Sequence, residues 1–375
     1  MNPLRFRVYF NGSAATEKDL AHIDTITVEQ TEDSAWEARL VMAFCMDAKG
    51  NWDSQNDARL RPRSQVRIEL QIGEAPFKPL IDGPLVSFES ALDARPGLST
   101  GTAVVHDNSA WLNLESNVTV QLDRSHEQIV RDLFQNTPSV STVTFTPQVE
   151  IPEGGESPPS LGPQFSQFGT PMQKLRDLAR RNGCHVYVLP GATEGAPSLG
   201  CFKGDPTGKP TLPPLVLLGA SRNLLDVTAV EDPESSSYTT VHTLRLSDQQ
   251  LSNFTTSSSD QQLLGTAAAA NAPVTRRAPA AAPAEDARAI AAARDRLRNY
   301  PVRYTGRLIP GGYPDILQPY KLVELHAGAA QQSGTLLLTK VTHRITPSRY
   351  AVEFEGRGNA LSNLGTVPGI PLGIL

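Results

Sequence analysis

The chain has 375 residues, of which 39% are hydrophobic and 19% are charged. This composition is typical of a globular protein and excludes a mainly disordered or membrane-embedded chain, and the length predicts two or more domains. The net charge of −5 and the lack of a basic run longer than Arg276-Arg277 argue against specific nucleic-acid binding, which needs clustered positive charge.

The cysteines and the N-terminus indicate where the chain is made. Cys45, Cys184 and Cys201 are odd in number and far apart, which favours neither a disulfide framework nor a zinc site. Residues 1–6 lack the apolar region of a signal peptide, and no apolar run is long enough to span a bilayer. We expect synthesis in a cytoplasm, reduced thiols and no membrane insertion.

Residues 1–95 predict a small antiparallel β domain. The clearest strand is Gln65–Ile72, where Val66, Ile68 and Leu70 alternate with polar residues, the period-2 pattern of a strand. Other predicted strands cover 5–10, 26–30, 38–46 and 85–92. Together they favour a barrel or a sandwich.

Residues 96–220 change character and predict helices. Ser125 and Gln128 fit a capping box that opens a first helix. Thr170 is the predicted cap of a second helix, Pro171 its first residue, and Gly183 its end. A short strand over 184–189 follows, so this stretch predicts a compact α+β domain.

Residues 221–300 predict partial strands, then a linker, then a helix. The tract Ser252–Pro283 is rich in Ser, Thr, Ala and Pro and lacks the large apolar side chains that order a core, so we expect a linker or a long surface excursion. Glu285–Asn299 has apolar residues near helical spacing and predicts a helix.

Residues 301–375 predict a second set of strands and a C-terminal tail. The strands are expected at 302–308, 320–326, 336–345 and 350–357, separated by Gly and Pro. In the last one, Tyr350, Val352 and Phe354 fall on one face, which is typical of a half-buried strand.

The two β stretches contain a weak internal echo. In the first stretch, a strand with alternating charges ends at Gly73, and Gly83 and another strand follow. In the second stretch, a similar strand ends at Gly328, and Gly334 and another strand follow. Duplication of one barrel explains this pattern, and so does coincidence.

Motifs for chemistry are not convincing in this chain. His126 and Glu127 are neighbours in the first helical turn and point apart, so a solvated helix start is favoured. Cys184 and His185 alternate along a strand, which predicts a core thiol and a surface imidazole. The segment Gly204–Pro210 has the wrong spacing for a phosphate loop and predicts a turn.

Histidines and carboxylates complete the search. His22, His106, His242, His326 and His343 are scattered, and we expect partly exposed positions on strands. Carboxylates are plentiful, and a glycosidase pair among them would be invisible in sequence. The sequence therefore predicts no catalytic residue, no cofactor-binding residue and no metal ligand, and a protein that is not an enzyme.

Several segments follow one another in a recognisable order: Thr102–Leu114, His126–Leu133, Gln173–Gly183, Gln318–Tyr320, Ser333-Gly334, Val341–Ile345 and Tyr350–Glu355. Their order and local pattern resemble the late control D proteins, which are baseplate hub proteins of contractile phage tails. The hub portion of the type VI secretion VgrG spike proteins is similar. The resemblance covers most of the chain and includes no catalytic signature.

The resemblance implies an α+β, mainly β fold: two tube-like antiparallel β-barrel domains with an inserted α+β domain. The first barrel would occupy residues 1–95 and the inserted domain residues 96–220. Residues 221–300 would contain partial strands, the linker and a helix, and residues 301–375 the second barrel and the tail. In that family three chains form a ring that presents a pseudo-sixfold face to the hexameric tail tube and a threefold face to the spike.

The implied partners are therefore the chain itself in a homotrimer, a tail tube protein and other baseplate proteins, with a tape measure protein as a further candidate. Because the sequence stops at Gly369–Leu375 without a spike domain, the spike is expected to be a separate polypeptide on which this apolar tail docks. The chain would be made in a bacterial cytoplasm and assembled into a virion tail baseplate or an injection-system particle.

Two other classes stay open from the residues alone. One is a tail-associated hydrolase of cell-wall glycan, which needs two carboxylates converging in a cleft. The other is a carbohydrate-binding β protein. Phage tail and bacterial injection system are not separable from this sequence.

Overall fold

The computed structural model describes residues 4–44, 46, 49–50, 52, 57–95, 97–121, 125–135, 148–150, 165–232, 237–245, 250–255, 263–264, 267–268, 274–279, 284–328 and 333–361. The expected docking tail and most of the acidic loop around 147–163 lie outside these residues. None of the helices within them is long and apolar enough to cross a membrane.

The N-terminal part contains helix α1 (Glu17–Ala21) and seven strands: β1 (Leu4–Phe10), β2 (Ser13–Ala14), β3 (Ile23–Thr31), β4 (Glu37–Ala43), β5 (Gln65–Ile72), β6 (Lys78–Ala91) and β7 (Thr100–His106). Short 3-10 turns cover Ala58–Leu60 and Asn108–Asn113. The central part contains β8 (Asn117–Gln121), α2 (His126–Gln135), β9 (Gln148–Glu150), β10 (Phe165–Gly169), α3 (Pro171–Asn182), β11 (His185–Leu189) and β12 (Leu199–Lys203).

The C-terminal part contains helix α4 (Ala284–Arg298) and eleven strands: β13 (Leu215–Val216), β14 (Leu224–Glu231), β15 (Ser237–Arg245), β16 (Gln250–Thr255), β17 (Ala267–Ala268), β18 (Val274–Pro279), β19 (Val302–Leu308), β20 (Leu322–His326), β21 (Gly334–Thr346), β22 (Arg349–Gly358) and β23 (Ala360–Leu361). The expected fold class, α+β and mainly β with barrel-like antiparallel domains, is confirmed.

The two barrel-like halves have the same strand order. The first half runs β1-β5-β6-β7-β4-β3, and the second runs β13-β20-β21-β22-β19-β14. With β2 set aside, each half has six principal strands. If these are numbered 1 to 6 along the chain within each half, both spatial orders read 1-4-5-6-3-2. The halves differ at one end, where β1 is antiparallel to β5 but β13 is parallel to β20.

Four of the β-bulges repeat as well. Each bulge inserts one extra residue in a strand: Val86 in β6, Thr339 in β21, Asp24 in β3 and Leu225 in β14. The strands β6 and β21 occupy the same place in the two orders, and so do β3 and β14. Because bulges bend a strand at a defined residue, their recurrence supports duplication over coincidence.

One strand pair joins the halves into a single sheet of thirteen strands. β3 lies at the edge of the first half and pairs antiparallel with β21 of the second, from Thr31 opposite Lys340 to Ile26 opposite Ile345. The apolar faces of both halves belong to one core cluster that includes Trp36.

The central part has a core of its own. The helix faces expected from the sequence, including Phe134 and Leu175, are buried in one cluster with Val186 of β11. Thr170 caps α3 through a capping box, and Gly183 ends the helix with a φ of 63°, a left-handed conformation that glycine adopts without strain. The predicted boundaries of α3 are therefore confirmed.

Two observations bear on the expected division of the chain. β7 lies in the stretch 96–220 but pairs with β4 and β6, and β14 lies in 221–300 but pairs with β19. The division at 95, 220 and 300 stays a prediction. Within the expected linker, β18 pairs with β15, and β16 extends into it, because backbone hydrogen bonds order a strand without large apolar side chains.

Candidate functional site

A buried cluster of charged side chains joins the central α+β part to the large sheet. It centres on His185, the first residue of β11, whose side chain is 3% exposed. The prediction of a surface imidazole was wrong, since His185 is buried. The Cys184 thiol, predicted in the core, is partly buried and packs against the core of the central part. β11 is covered on both faces: Val186 packs in the helical core, and Tyr187 stacks on Tyr320 with ring centroids 3.8 Å apart.

Carboxylates surround the imidazole. Nε2 lies 2.8 Å from Oδ1 of Asp205, and Nδ1 lies 3.2 Å from Oδ1 of Asp33 and 3.3 Å from Oε1 of Glu32. Both ring nitrogens therefore face acceptors, an arrangement that the doubly protonated imidazolium satisfies. Burial opposes the charge of His185, but the hydrogen bonds to Asp205 and Asp33 outweigh it and raise its pKa to about 9.

A second cation and a phenol complete the cluster. Nη2 of Arg357 lies 2.8 Å from Oε1 of Glu32 and 3.3 Å from Oδ1 of Asp205. The Tyr300 hydroxyl donates to Oδ2 of Asp205 over 2.6 Å, and burial raises the pKa of this phenol. Burial also raises the pKa of Glu32. Burial opposes the charge of Asp205 as well, but the hydrogen bond from His185 and the positive charges of Arg357 and His185 together outweigh it and lower the pKa of Asp205.

The same cluster has the geometry of a possible metal site. Ligand atoms of Glu32, His185 and Asp205 lie within 4.8 Å of one another. However, the guanidinium of Arg357 already pairs with both carboxylates, and both imidazole nitrogens are engaged. A divalent cation would have to displace these contacts, so the donor set fits an ion cluster better than a metal centre.

A second buried cluster ties the central part to the first half of the sheet. Arg67 of β5 is 2% exposed, and its guanidinium contacts Glu69 at 2.8 Å and Asp82 at 3.0 Å. The same group donates to the carbonyl oxygen of Gly191 over 2.9 Å. The alternation of β5 predicted a polar face. It could not predict that this face is buried, because the central part, which is distant in sequence, folds over it.

The remaining histidines divide into two groups. His22, His106 and His326 are partly exposed, as expected. His343 is an exception and is fully buried, because it lies in β21 where β3 covers one side and the Tyr350 hydroxyl lies 2.8 Å from Nδ1. Burial lowers its pKa to about 3, so this imidazole is neutral. The surroundings of the His242 side chain lie outside the described part.

His126 starts α2, as expected, with Nδ1 3.2 Å from Oδ1 of Asn182. The segment 204–210 is an irregular turn region and no phosphate loop, as expected. Sequence reasoning missed Asp205 within it, because its partners His185, Tyr300 and Arg357 come from distant parts of the chain. Only the three-dimensional contact identifies its role.

Catalysis by a carboxylic acid would require a group held protonated in an open cleft. Among the described carboxylates, burial raises the pKa of Glu32 and Asp107. Glu32 is engaged by Arg357, and Asp107 accepts hydrogen bonds from the backbone N–H groups of Trp36 and Ser109. Both carboxyl groups therefore have structural partners.

The exposed face of the sheet carries charges of both signs. A shallow depression across β14, β19, β22, β21 and β3 is lined by Arg307, Lys340 and several carboxylates. Arg307 pairs with Asp226, and Lys340 lies 2.9 Å from Glu29. The face is a lattice of exposed ion pairs, each of small energetic value.

No protein-family model and no curated protein matches this chain. Solved structures do match. The 43 kDa tail protein of prophage MuSo2 from Shewanella oneidensis is 14% identical, with 94% of this chain and 97% of that chain covered and a TM-score of 0.60. A tail protein from Neisseria meningitidis MC58 is 12% identical, with 94% and 96% covered and a TM-score of 0.61.

An E. coli component of the type VI secretion system, described as similar to the T4 bacteriophage tail proteins gp27 and gp5, is 10% identical. The match covers 98% of this chain and 80% of that chain, with a TM-score of 0.56. These likenesses define the class of fold: it is the fold of phage tail proteins and related type VI secretion proteins.

Proposed function

We propose that the chain is a structural baseplate hub of a contractile phage tail or of a phage-tail-like injection system. Three copies form a ring that adapts a hexameric tail tube to a trimeric spike and surrounds the central channel. The observation that carries this proposal is the repeated strand order, 1-4-5-6-3-2 in each half, with repeated bulges. Two similar barrels per chain give six similar units in a trimer.

The expected partners follow from this role. A tube of six identical subunits would dock on the six barrels, and a separate spike would dock on the threefold face. Other baseplate proteins and a tape measure protein complete the proposed neighbourhood, in a virion tail or an injection-system particle. The likeness to tail and secretion proteins supports this setting through the fold.

The buried clusters support a mechanical role. Their charges hold the central part against both halves of the sheet, and their carboxylates are engaged by Arg67, His185 or Arg357. Side chains placed in this way resist displacement under load because separation would leave unpaired charges buried. We therefore propose that the chain is not an enzyme and works through its interfaces.

Light scattering of the purified chain, alone and mixed with its tube protein, tests the proposal. We expect a mass three times the 40.5 kDa of one chain and a larger complex with the tube protein. A stable monomer that binds neither tube nor spike would contradict the hub function.

A further inference from the structure

The strand pair that joins the two halves has a counterpart that none of the described strands forms. In that pair, the edge strand β3 contacts the C-terminal half of β21. The repeat places β14 where β3 lies and β6 where β21 lies. A second joint of the same kind would therefore pair β14 with the C-terminal half of β6.

No described strand covers either of these edges. Of the strands that the structure describes, β14 pairs only with β19, and residues 85–91 of β6 pair only with β7. Apolar side chains lie along them: Leu225 and Val230 are 52% and 56% exposed, and Val86 and Leu92 are 39% and 54% exposed. Open apolar edges are a liability for a monomer.

The joint within the chain shows what covering these edges does. Its six core-facing residues are each at most 1% exposed: Ile26, Val28, Gln30, Val341, His343 and Ile345. Their counterparts in the repeat are Val227, Ala229, Glu231, Phe88, Ser90 and Leu92. All six of these counterparts are partly or fully exposed, so the open edges lack the cover that the joint supplies.

The bulges fix the correspondence residue by residue. Lys340 is the residue after the bulge in β21, and Ser87 is the residue after the bulge in β6, so these two residues correspond. Counting in the same way from the bulges of β3 and β14, Thr31 corresponds to Asp232. Since Lys340 lies opposite Thr31 in the joint within the chain, Ser87 would lie opposite Asp232 in the second joint.

We propose that β14 of one chain pairs antiparallel with residues 87–92 of a second copy in this register. The inference rests on the proposed trimeric hub and names the surface that closes it. The directly opposed residues are then Ser87 and Asp232, Phe88 and Glu231, Glu89 and Val230, Ser90 and Ala229, Ala91 and Thr228, and Leu92 and Val227.

This pairing explains how the assembly closes. The two edges differ, so each copy donates one and accepts the other, a head-to-tail contact that makes a ring when the rotation closes. In a trimer, three joints within chains alternate with three joints between chains. The sheet then runs continuously around the channel, and these edges disappear.

Engineered disulfides test the register. Cross-strand Cα atoms lie about 4.5 to 5.5 Å apart, within the range that a disulfide bridges. We would combine Glu89→Cys with Val230→Cys, and separately Ser90→Cys with Ala229→Cys. A matched control combines Glu89→Cys with Asp226→Cys, which lies four residues out of register and about 14 Å away.

After mild oxidation, we expect covalent dimers and trimers on non-reducing gels from at least one pair in register, and monomers from the control. The parent chain under the same treatment controls for the three natural cysteines. Light scattering of each variant before oxidation reports assembly independently of cross-linking.

The outcomes separate the two proposals. A trimer by light scattering that cross-links in neither register pair, or that cross-links as well in the control, overturns the edge assignment and leaves the hub proposal standing. A parent chain that stays monomeric overturns both.

Discussion

At the scale of single residues, the structure depends on charges that the sequence shows but does not place. His185 and Arg67 both lie on strands whose alternation is clear. Whether the polar side of such a strand is exposed to solvent depends on what packs over it. His185 and Arg67 are both covered by parts of the chain that are distant in sequence. Alternation therefore predicted the strands but not the burial of these charges.

The pH dependence of stability follows from His185. Its pKa rises from 6.5 to about 9 on folding, so the stabilisation by the imidazolium is fully present below pH 6.5 and is lost as the pH rises through 9. We expect a loss on the order of 3 kcal/mol in the free energy of unfolding between these values. Denaturant titrations at several pH values measure it.

The control is His185→Gln, which keeps a hydrogen-bonding side chain without a titrating group. We expect its stability to change less over the same range. An equal pH dependence in the parent and the variant would show that His185 is not the group responsible.

Removing Arg67 should strongly destabilise the chain. Arg67→Ala leaves the carboxylates of Glu69 and Asp82 buried without their cation, and losses of about 3 to 5 kcal/mol are typical of such changes. The matched control is Arg39→Ala, because Arg39 is exposed and its partner Glu37 is partly exposed, so we expect less than about 1 kcal/mol. Denaturant unfolding compares the two, and similar losses would argue against the role assigned to Arg67.

At the scale of elements, most strands and helices could be predicted from local patterns. The alternation of Tyr350, Val352 and Phe354, the cap at Thr170 and the stop at Gly183 are confirmed. The partner of each strand could not be predicted, because β3 and β21 are more than 300 residues apart and pairing depends on tertiary context. The start of β6 was placed too late, at residue 85 and not at Lys78.

Gly83 explains part of that error. A Cβ on Gly83 would lie 2.0 Å from the carbonyl oxygen of His106, so this glycine permits a close backbone approach inside a strand. In the sequence, the neighbouring Pro84 makes the same residues look like a turn. Gly83-Pro84 therefore interrupts the strand pattern in the sequence, but in the structure it lies inside β6, where the strand passes close to His106 of β7.

The open edges give a prediction at this scale. Val230→Glu would place a carboxylate opposite Glu89 of the neighbouring copy, and like charges directly opposed destabilise a strand pair. We expect weaker trimer association, by roughly 0.2 to 1 kcal/mol per joint, measured as a shift in the concentration dependence of light scattering.

The compensating variant combines Val230→Glu with Glu89→Lys, which restores opposite charges at the same pair. We expect association at least as tight as in the parent. Because both side chains are exposed in a single chain, neither change should alter its melting temperature. Failure of the second change to restore association would argue against this register.

At the scale of the whole molecule, the chain consists of one barrel-like unit used twice, with a helical part held between the two copies by buried charges. The sequence echo around Gly73 and Gly328 relates the same strands, but it is two residues out of register, because the bulges align Gly83 with Leu336 and not with Gly334. The rest of the repeat is visible only as strand order and bulge position, because those depend on backbone geometry and tolerate replacement of nearly every side chain.

Cryo-electron microscopy of the purified assembly tests the central claim most directly. We expect a threefold ring in which six barrel-like units surround a channel and β14 of each chain pairs with residues 87–92 of its neighbour. A monomer, or a ring whose chains meet through other surfaces while these edges stay open, would contradict the account.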